Sequence, residues 1–305
     1  MRENFLIEWL RTQTRDSDVL TLGIGDDAAV MSPLSSESVV TTDLICEGTH
    51  FITAQCTPQQ IGRKAMAVNL SDIAAMAAIP KIAFVSVALP RDTNESFAEQ
   101  LMTAMIDLAR EFDCEVAGGD TNVWGGGLAI NVLIIGQATS RGPLYRKNAL
   151  AGDALLVTGD LGGSIAGKHF DFTPRISEAL YLHQHYDLHA CMDLSDGLAA
   201  DVRKLGAASG CGAEMDASSI PISAAAEQLA SPARSGLDRA LGDGEDFELL
   251  FTASPEEAKR IVADQPLDIP ITQVGTCLSA SSFWLRQNGS RIALPVLGYE
   301  HGSDT

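Results

Sequence analysis

Apolar residues recur at helical spacing from Asn4 to Thr14, which predicts a short amphipathic helix, and Val39 to Leu44 then reads as a strand ending in a polar cluster. Thr57-Pro58 opens the next helix, because a threonine cap followed by proline at the first helical position costs no hydrogen bond that a helix would make. The apolar run behind it carries the expected helix to about Ile79, where Pro80 stops it, and Ile82 to Leu89 reads as a buried strand. A helix over Asn94 to Phe112, a short strand over Cys114 to Ala117 and a longer one over Leu128 to Gln137 complete the first half. Arg141 to Asp153, interrupted by Gly, Pro and Asn-Ala, is the best place for a linker. A second α/β series follows, with a strand at Ala154 to Thr158, helices near Pro174 to Tyr186 and Gly197 to Ser209, and a strand at Glu248 to Thr252. Phe283 to Arg286 and Arg291 to Leu294 flank Asn288-Gly289, a two-residue hairpin signal.

At 305 residues the chain exceeds what one hydrophobic core usually supports, so two domains are expected. A hydrophobic fraction of 46% with 20% charged residues is that of a folded globular protein. The balance of charge changes the picture more. Forty acidic residues against 21 basic ones give a net charge of −19, a field that repels nucleic acid. ATP would be repelled as well, unless divalent cations stood between its phosphates and the carboxylates. No apolar run is long enough to span a bilayer, the start is not signal-like, and six scattered cysteines without a Cys-x-x-Cys pair fit reduced thiols. A cytoplasmic protein without zinc is therefore expected.

Acidic residues recur beside glycine or hydroxyl residues at the ends of predicted strands: Gly25-Asp26-Asp27, Thr41-Thr42-Asp43, Gly118-Gly119-Asp120, Asp193-Leu194-Ser195-Asp196-Gly197 and Gly244-Glu245-Asp246. Each alone is equally an ordinary turn or helix cap. Five together are harder to explain that way, since α/β proteins bind ligands at strand ends. Asp72 lies in a helix that is apolar on nearly every face, where an unpaired carboxylate would cost several kcal/mol. Arg63 and Lys64 are nine and eight positions away, too far along the axis to pair with it directly, so metal ligation is favoured. Separated aspartates meeting at one place suit magnesium, which takes one or two carboxylates together with water and phosphate oxygens. There is no Walker-type lysine loop. Gly159-Asp160-Leu161-Gly162-Gly163-Ser164 has the wrong glycine spacing for a dinucleotide loop and reads as a tight strand-to-helix turn. Arg146 is either a phosphate-binding guanidinium or a solvated linker residue, and His50 is either a packed histidine or a neighbour of the Asp43 cluster.

Taken in order, Gly23-Ile24-Gly25-Asp26-Asp27-Ala28-Ala29, Thr42-Asp43, Glu47-Gly48-Thr49-His50-Phe51, Asn69-Leu70-Ser71-Asp72, Gly118-Gly119-Asp120, Asp193-Leu194-Ser195-Asp196-Gly197 and Gly244-Glu245-Asp246-Phe247-Glu248-Leu249 strongly resemble the thiamine-monophosphate kinase family, within the superfamily of aminoimidazole ribonucleotide synthetase. The resemblance spans nearly the whole chain. It implies a two-domain α/β (α+β) fold. Residues 1–140 would form a mixed sheet with helices that binds metal and ATP and makes a homodimer, and residues 150–305 an α/β sandwich domain that completes the ATP and substrate cleft. It also implies magnesium-dependent transfer of the γ-phosphoryl group of ATP directly onto thiamine monophosphate, without a covalent intermediate. By the same resemblance Asp27, Thr41, Thr42, Asp43, Asp72, Asp120, Asp193 and Asp196 would hold or support several magnesium ions. Asp72, Asp120 and Asp193 would be the catalytic carboxylates, and Gly119, Asp120, Arg146 and Ser195 would contact ATP. His50 and Glu245 match positions that contact thiamine phosphate. Val296 takes the place where the family commonly stacks an aromatic ring on thiamine.

The rival readings are another ATP-dependent enzyme of the superfamily and a non-catalytic nucleotide- or metal-binding protein. A selenophosphate-type enzyme would need a reactive cysteine and a lysine near the start, and Met1 to Leu22 contains neither.

Overall fold

The computed structural model describes residues 9–13, 18–24 and 28–300. Of the predicted first helix only residues 9–13 are among these, and they are helical; Gly25, Asp26 and Asp27 lie outside the described residues. The chain divides into two compact units, one of residues Met1–Ile73 with Ala78–Gly142 and one of Ala74–Ala77 with Pro143–Thr305.

The first unit holds a two-stranded ribbon, β1 (Leu20–Leu22) and β2 (Val30–Met31), and a four-stranded sheet. The sheet strands are β3 (Ser38–Cys46), β4 (Ala78–Pro90), β5 (Glu115–Trp124) and β6 (Ala129–Ala138), in the order β3-β6-β4-β5. Only the β4–β5 pair is parallel. Two helices, α1 (Pro58–Ala75) and α2 (Glu95–Glu111), account for the long apolar stretches. Asn94 caps α2, its side chain accepting from Phe97 N at 2.8 Å. At Gly62 the helices touch backbone to backbone, since a Cβ there would lie 2.2 Å from Leu101 O.

Two boundaries differ from the sequence reading. Helix α1 ends at Ala75, short of Ile79, because Ala77 takes a left-handed φ of 47° and turns the chain into β4. Pro80 therefore sits inside a strand. It is tolerated because the β4–β6 register shifts between Pro80 and Ile82, which is where a missing N–H costs least. Strand β5 also continues well past Ala117, through Gly118-Gly119-Asp120-Thr121-Asn122 to Trp124.

The second unit is built on a seven-stranded sheet ordered β13-β12-β9-β11-β7-β10-β8. Its strands are β7 (Ala154–Thr158), β8 (Leu188–Asp193), β9 (Gly212–Asp216), β10 (Leu249–Ala253), β11 (Ile271–Leu278), β12 (Phe283–Gln287) and β13 (Ser290–Ala293). Among the described residues three α-helices of ten or more residues and three shorter ones accompany it: α3 (Lys168–Asp171), α4 (Ile176–His185), α5 (Leu198–Ser209), α6 (Ala224–Gln228), α7 (Gly236–Gly242) and α8 (Pro255–Asp264). Strands β7 and β10 are buried throughout, and Leu155, Val157, Met192, Val202, Leu205, Met215 and Leu250 belong to one continuous core. The hairpin falls where the sequence places it, with Asn288 (φ 51°) and Gly289 (φ 75°) both left-handed as a type I′ turn requires.

Both sheets are mainly antiparallel. The acidic motifs consequently do not gather at one sheet end, as the sequence reading expects. Asp43 and Asp120 lie inside strands, Asp193 ends β8, and Gly244-Glu245-Asp246 precedes β10. No helix among the described residues is long and apolar enough to cross a membrane.

Candidate functional site

In the first unit the site is built where β3 meets α1. Strand alternation turns Thr41 and Asp43 toward the helix and leaves Val40, Thr42 and Leu44 exposed on the other face. Asp43 N donates to Asn69 Oδ1 at 2.9 Å, and Thr41 Oγ1 donates to Asp72 Oδ2 at 2.5 Å. Asn69 and Asp72 are three apart on α1, so one helical face presents both to the strand. The carboxyls of Asp43 and Asp72 hydrogen bond each other, and burial, followed by the charge of Asp72 and that hydrogen bond, pushes the Asp43 pKa up to about 6. Two acids sharing one partly dry spot repel, which a bound cation would relieve.

The remaining residues of this unit are placed differently. Thr42 Oγ1 accepts from Asn131 Nδ2 at 2.9 Å on the opposite face from Asp43. Asp120 is exposed opposite Ser86, in the strand row that runs through Asn131 to Leu44. Gly119 before it can only be glycine, since a Cβ would fall 1.7 Å from Val85 O. His50 Nδ1 accepts from Cys46 N at 3.0 Å, so in the neutral ring the proton is on Nε2. Its carbonyl accepts from the ammonium of the fully buried Lys64 at 2.9 Å, which fixes the loop after β3 to α1. Among the described residues no three His, Cys, Asp or Glu side chains cluster closely enough to hold an ion by themselves.

In the second unit two acidic motifs are stitched together. Leu194 N donates to Glu248 O at 2.8 Å, Phe247 N to Leu194 O at 2.8 Å and Glu245 N to Ser195 O at 2.7 Å. Asp193, Ser195, Asp196 and Glu245 thus lie on neighbouring turns. The segment carrying Val296, itself 93% exposed, reaches the same place: Tyr299 N donates to Asp196 O at 3.0 Å. Exposed Arg146 stands in a short 3-10 turn whose carbonyl accepts from Ser209 Oγ on α5. The Gly159–Ser164 loop is a turn whose glycine N–H groups are already used, Gly159 N donating to Pro270 O at 2.9 Å. Gly162 N donates to Asp246 Oδ1 at 2.8 Å and Gly163 N to Asp243 Oδ2 at 2.9 Å.

Residues 25–138 match the family model described as AIR synthase related protein, N-terminal domain, and residues 150–280 match its C-terminal domain. The chain is 39% identical to the thiamine-monophosphate kinase of Rhodopirellula baltica, over 99% of this chain and 98% of that one. With the enzyme of Bacillus subtilis the identity is 31% and the coverage 99% of each. This chain belongs to the thiamine-monophosphate kinase family. The crystal structure of the Stenotrophomonas maltophilia thiamine-monophosphate kinase superposes with a TM-score of 0.81 at 32% identity, covering 95% of this chain and 98% of that one. AaThiL, complexed with AMPPCP and TMP, gives a TM-score of 0.77 at 28% identity and covers 99% of each chain. The hydrogenase maturation protein HypE of E. coli, at 20% identity, shares the fold, a mixed α/β arrangement of two domains.

Three acidic groups in the second unit have partners that go unnoticed in the sequence, although Asp246 and Glu248 themselves stand in the Gly244–Leu249 motif. Asp201 is fully buried, its pKa raised by burial first and held back by Lys204; its Oδ2 accepts from Asp196 N at 3.0 Å. Lys204 Nζ bridges Asp201 Oδ1, at 2.9 Å, and the Asp196 carboxylate. Asp-x-x-Lys on the helix directly after Asp193–Gly197 is the signal that could have found this clamp on a proposed thiamine-monophosphate kinase ligand. Glu248 is buried against Arg175 (2.8 and 2.7 Å), Lys168 (2.8 Å) and Thr158 Oγ1 (2.8 Å). The third is Asp246.

Proposed function

We infer that this chain transfers the γ-phosphoryl group of ATP to the phosphate of thiamine monophosphate, giving thiamine diphosphate. The observation that carries the reading is the Asp43–Asp72 carboxylate pair, set inside a fold and a full-length sequence shared with thiamine-monophosphate kinases. The acceptor is a phosphate monoester, already largely dianionic near neutral pH, so no base has to deprotonate it. What the enzyme must overcome is repulsion between two phosphates, which calls for positioning and charge neutralisation, with no covalent intermediate.

Magnesium fits the residues present: two adjoining carboxylates, the charge of Asp72 helping to raise the pKa of Asp43, and a hydroxyl from Thr41, a set that magnesium completes with water and phosphate oxygens. An ion held by these side chains would supply the positive charge that screens the two phosphates from each other. Asp43 and Asp72 would hold it, with Thr41 orienting Asp72, and Asp27, Thr42, Asp120, Asp193 and Asp196 are assigned to further ions. Asp120 and Asp193 complete the catalytic carboxylates. Gly119 and Ser195 offer groups to ATP, and Arg146 offers an exposed guanidinium that can fork onto phosphate. His50, through Nε2–H, Glu245 and Val296 are assigned to thiamine monophosphate.

A homodimer and a cytoplasmic location belong to the same proposal. The exposed face of the four-stranded sheet carries Val40, Leu44 and Trp124, and the dimer would cover it. Leu44→Arg is expected to convert a dimer to a monomer in size-exclusion chromatography with light scattering; an unchanged mass would place the dimer elsewhere. All six cysteines are free thiols. Purified protein incubated with ATP, magnesium and thiamine monophosphate should form thiamine diphosphate, followed by phosphorus NMR. ATP hydrolysis without that product, or none at all, would overturn the assignment.

A further inference from the structure

The segment Asp243–Phe247, between α7 and β10, is held in an unfavourable backbone. Gly244 (φ 72°), Glu245 (φ 53°) and Phe247 (φ 50°) are all left-handed, and two of the three are not glycine. Such residues persist only where their surroundings over-determine them. Here the restraints come from two directions. Ser195 O and Leu194 O accept from Glu245 N and Phe247 N, and the Phe247 ring stacks on Phe172 at 4.1 Å. On the other side the Gly162–Ser164 loop is tied to the segment by three bonds. They are Gly162 N to Asp246 Oδ1, Gly163 N to Asp243 Oδ2, and Ser164 Oγ to Gly244 O at 2.7 Å.

Asp246 is the central tie. It is 1% exposed, and its Oδ2 is buried without a hydrogen-bond partner among the described residues. A carboxylate would not be left this way if its purpose were an ion pair, because neighbouring Lys168 is spent on Glu248. We propose that Asp246 is a positioning residue for the phosphate acceptor: its buried carboxyl pins the strained turn that presents Glu245. This rests on the reading that Glu245 contacts thiamine monophosphate. The electrostatics agree with a carboxyl that spends much of its time neutral. Burial pushes its pKa up to about 7, Lys168 and the Gly162 N–H oppose that, and Glu248 and Asp243 add to it. Asp243 is itself paired with Arg234 and Arg239, and Glu248 with Arg175.

The test separates binding of the two co-substrates. Asp246→Ala removes the tie and should raise KM for thiamine monophosphate at least tenfold, with KM for ATP changed less than threefold. Asp246→Asn is close in shape to the neutral acid and keeps the acceptor for Gly162 N–H, so it should restore KM to within threefold of the parent. Should the alanine variant fail to fold, Ser164→Ala loosens the same turn without touching its charge and should raise the same KM about threefold. Equal changes in both KM values, or none, would overturn the proposal. If the parent enzyme makes no thiamine diphosphate, the functional reading fails instead, and the two failures are distinct.

Discussion

Asp72→Asn should lower kcat at least a thousandfold and leave the protein no less stable than its parent. Both halves follow from the contact between β3 and α1. Asp43 and Asp72 share one partly buried place, and the pKa of Asp43 rises to about 6 because burial and Asp72 both disfavour its charge. Removing one carboxylate relieves that cost, on the order of 1 kcal/mol once solvent screening is allowed for. The amide can still accept from Thr41 Oγ1 and can donate to Asp43. What it cannot do is supply the second negative oxygen to a divalent ion. A melting curve, titration with manganese followed by electron paramagnetic resonance, and a turnover assay read the three quantities separately. Near-normal turnover would refute the assignment, and weak turnover with unchanged manganese binding would move the ion elsewhere.

Glu248→Ala should cost the second unit roughly 3 kcal/mol or more, a drop of about 6–12 °C in Tm. Burial alone would raise the pKa of Glu248, but Arg175 and Lys168 outweigh it and hold the pKa below the ordinary value. Deleting the carboxylate leaves Arg175, 14% exposed, with Glu178 as its remaining ion-pair partner, leaves Lys168 with the Asp160 carbonyl, and empties a hydrogen bond from Thr158. The pH dependence gives the check a sign. A lowered pKa means that the stabilisation from Glu248 is present above about pH 4.5 and is lost as pH falls through the folded-state value. Asp246, two residues away, runs the other way. Its stabilisation is complete below about pH 3.8 and is lost as pH climbs toward about 7. Asp246→Asn should therefore gain on its parent by a few kcal/mol over that interval, and Glu248→Ala should lose most above about pH 4.5. Parallel urea curves at pH 4, 5.5 and 7 test both; a pH-independent difference for either variant would contradict its assigned charge state.

Helix α2, strand β7 and the Asn288-Gly289 hairpin were legible because local signals agreed with the tertiary environment: an Asn cap, an unbroken apolar run, two residues tolerant of positive φ. Strand β4 was misread at Pro80 because a register shift, invisible in sequence, absorbs the missing donor. Strand β5 was cut short at Gly118-Gly119 because its outer face is solvent, so polar residues there carry no period that distinguishes strand from loop. The site divides along the same line. Asp43, Asn69 and Asp72 could be picked out singly, but their meeting depends on α1 crossing β3, 26 to 31 residues apart in sequence. The Glu248 cluster joins residues 73 to 90 positions apart, and nothing local marks it.

The close approach at Gly62 gives that helix a lever arm. Asn69 and Asp72 follow Gly62 by seven and ten residues, roughly 10 and 15 Å along the axis. Even one added methyl group must push α1 away from the Leu101 carbonyl, 2.2 Å from where its carbon would stand. The tilt would be delivered to the two side chains that grip β3. Gly62 touches no substrate, yet a scan of single substitutions would score it among the residues that do.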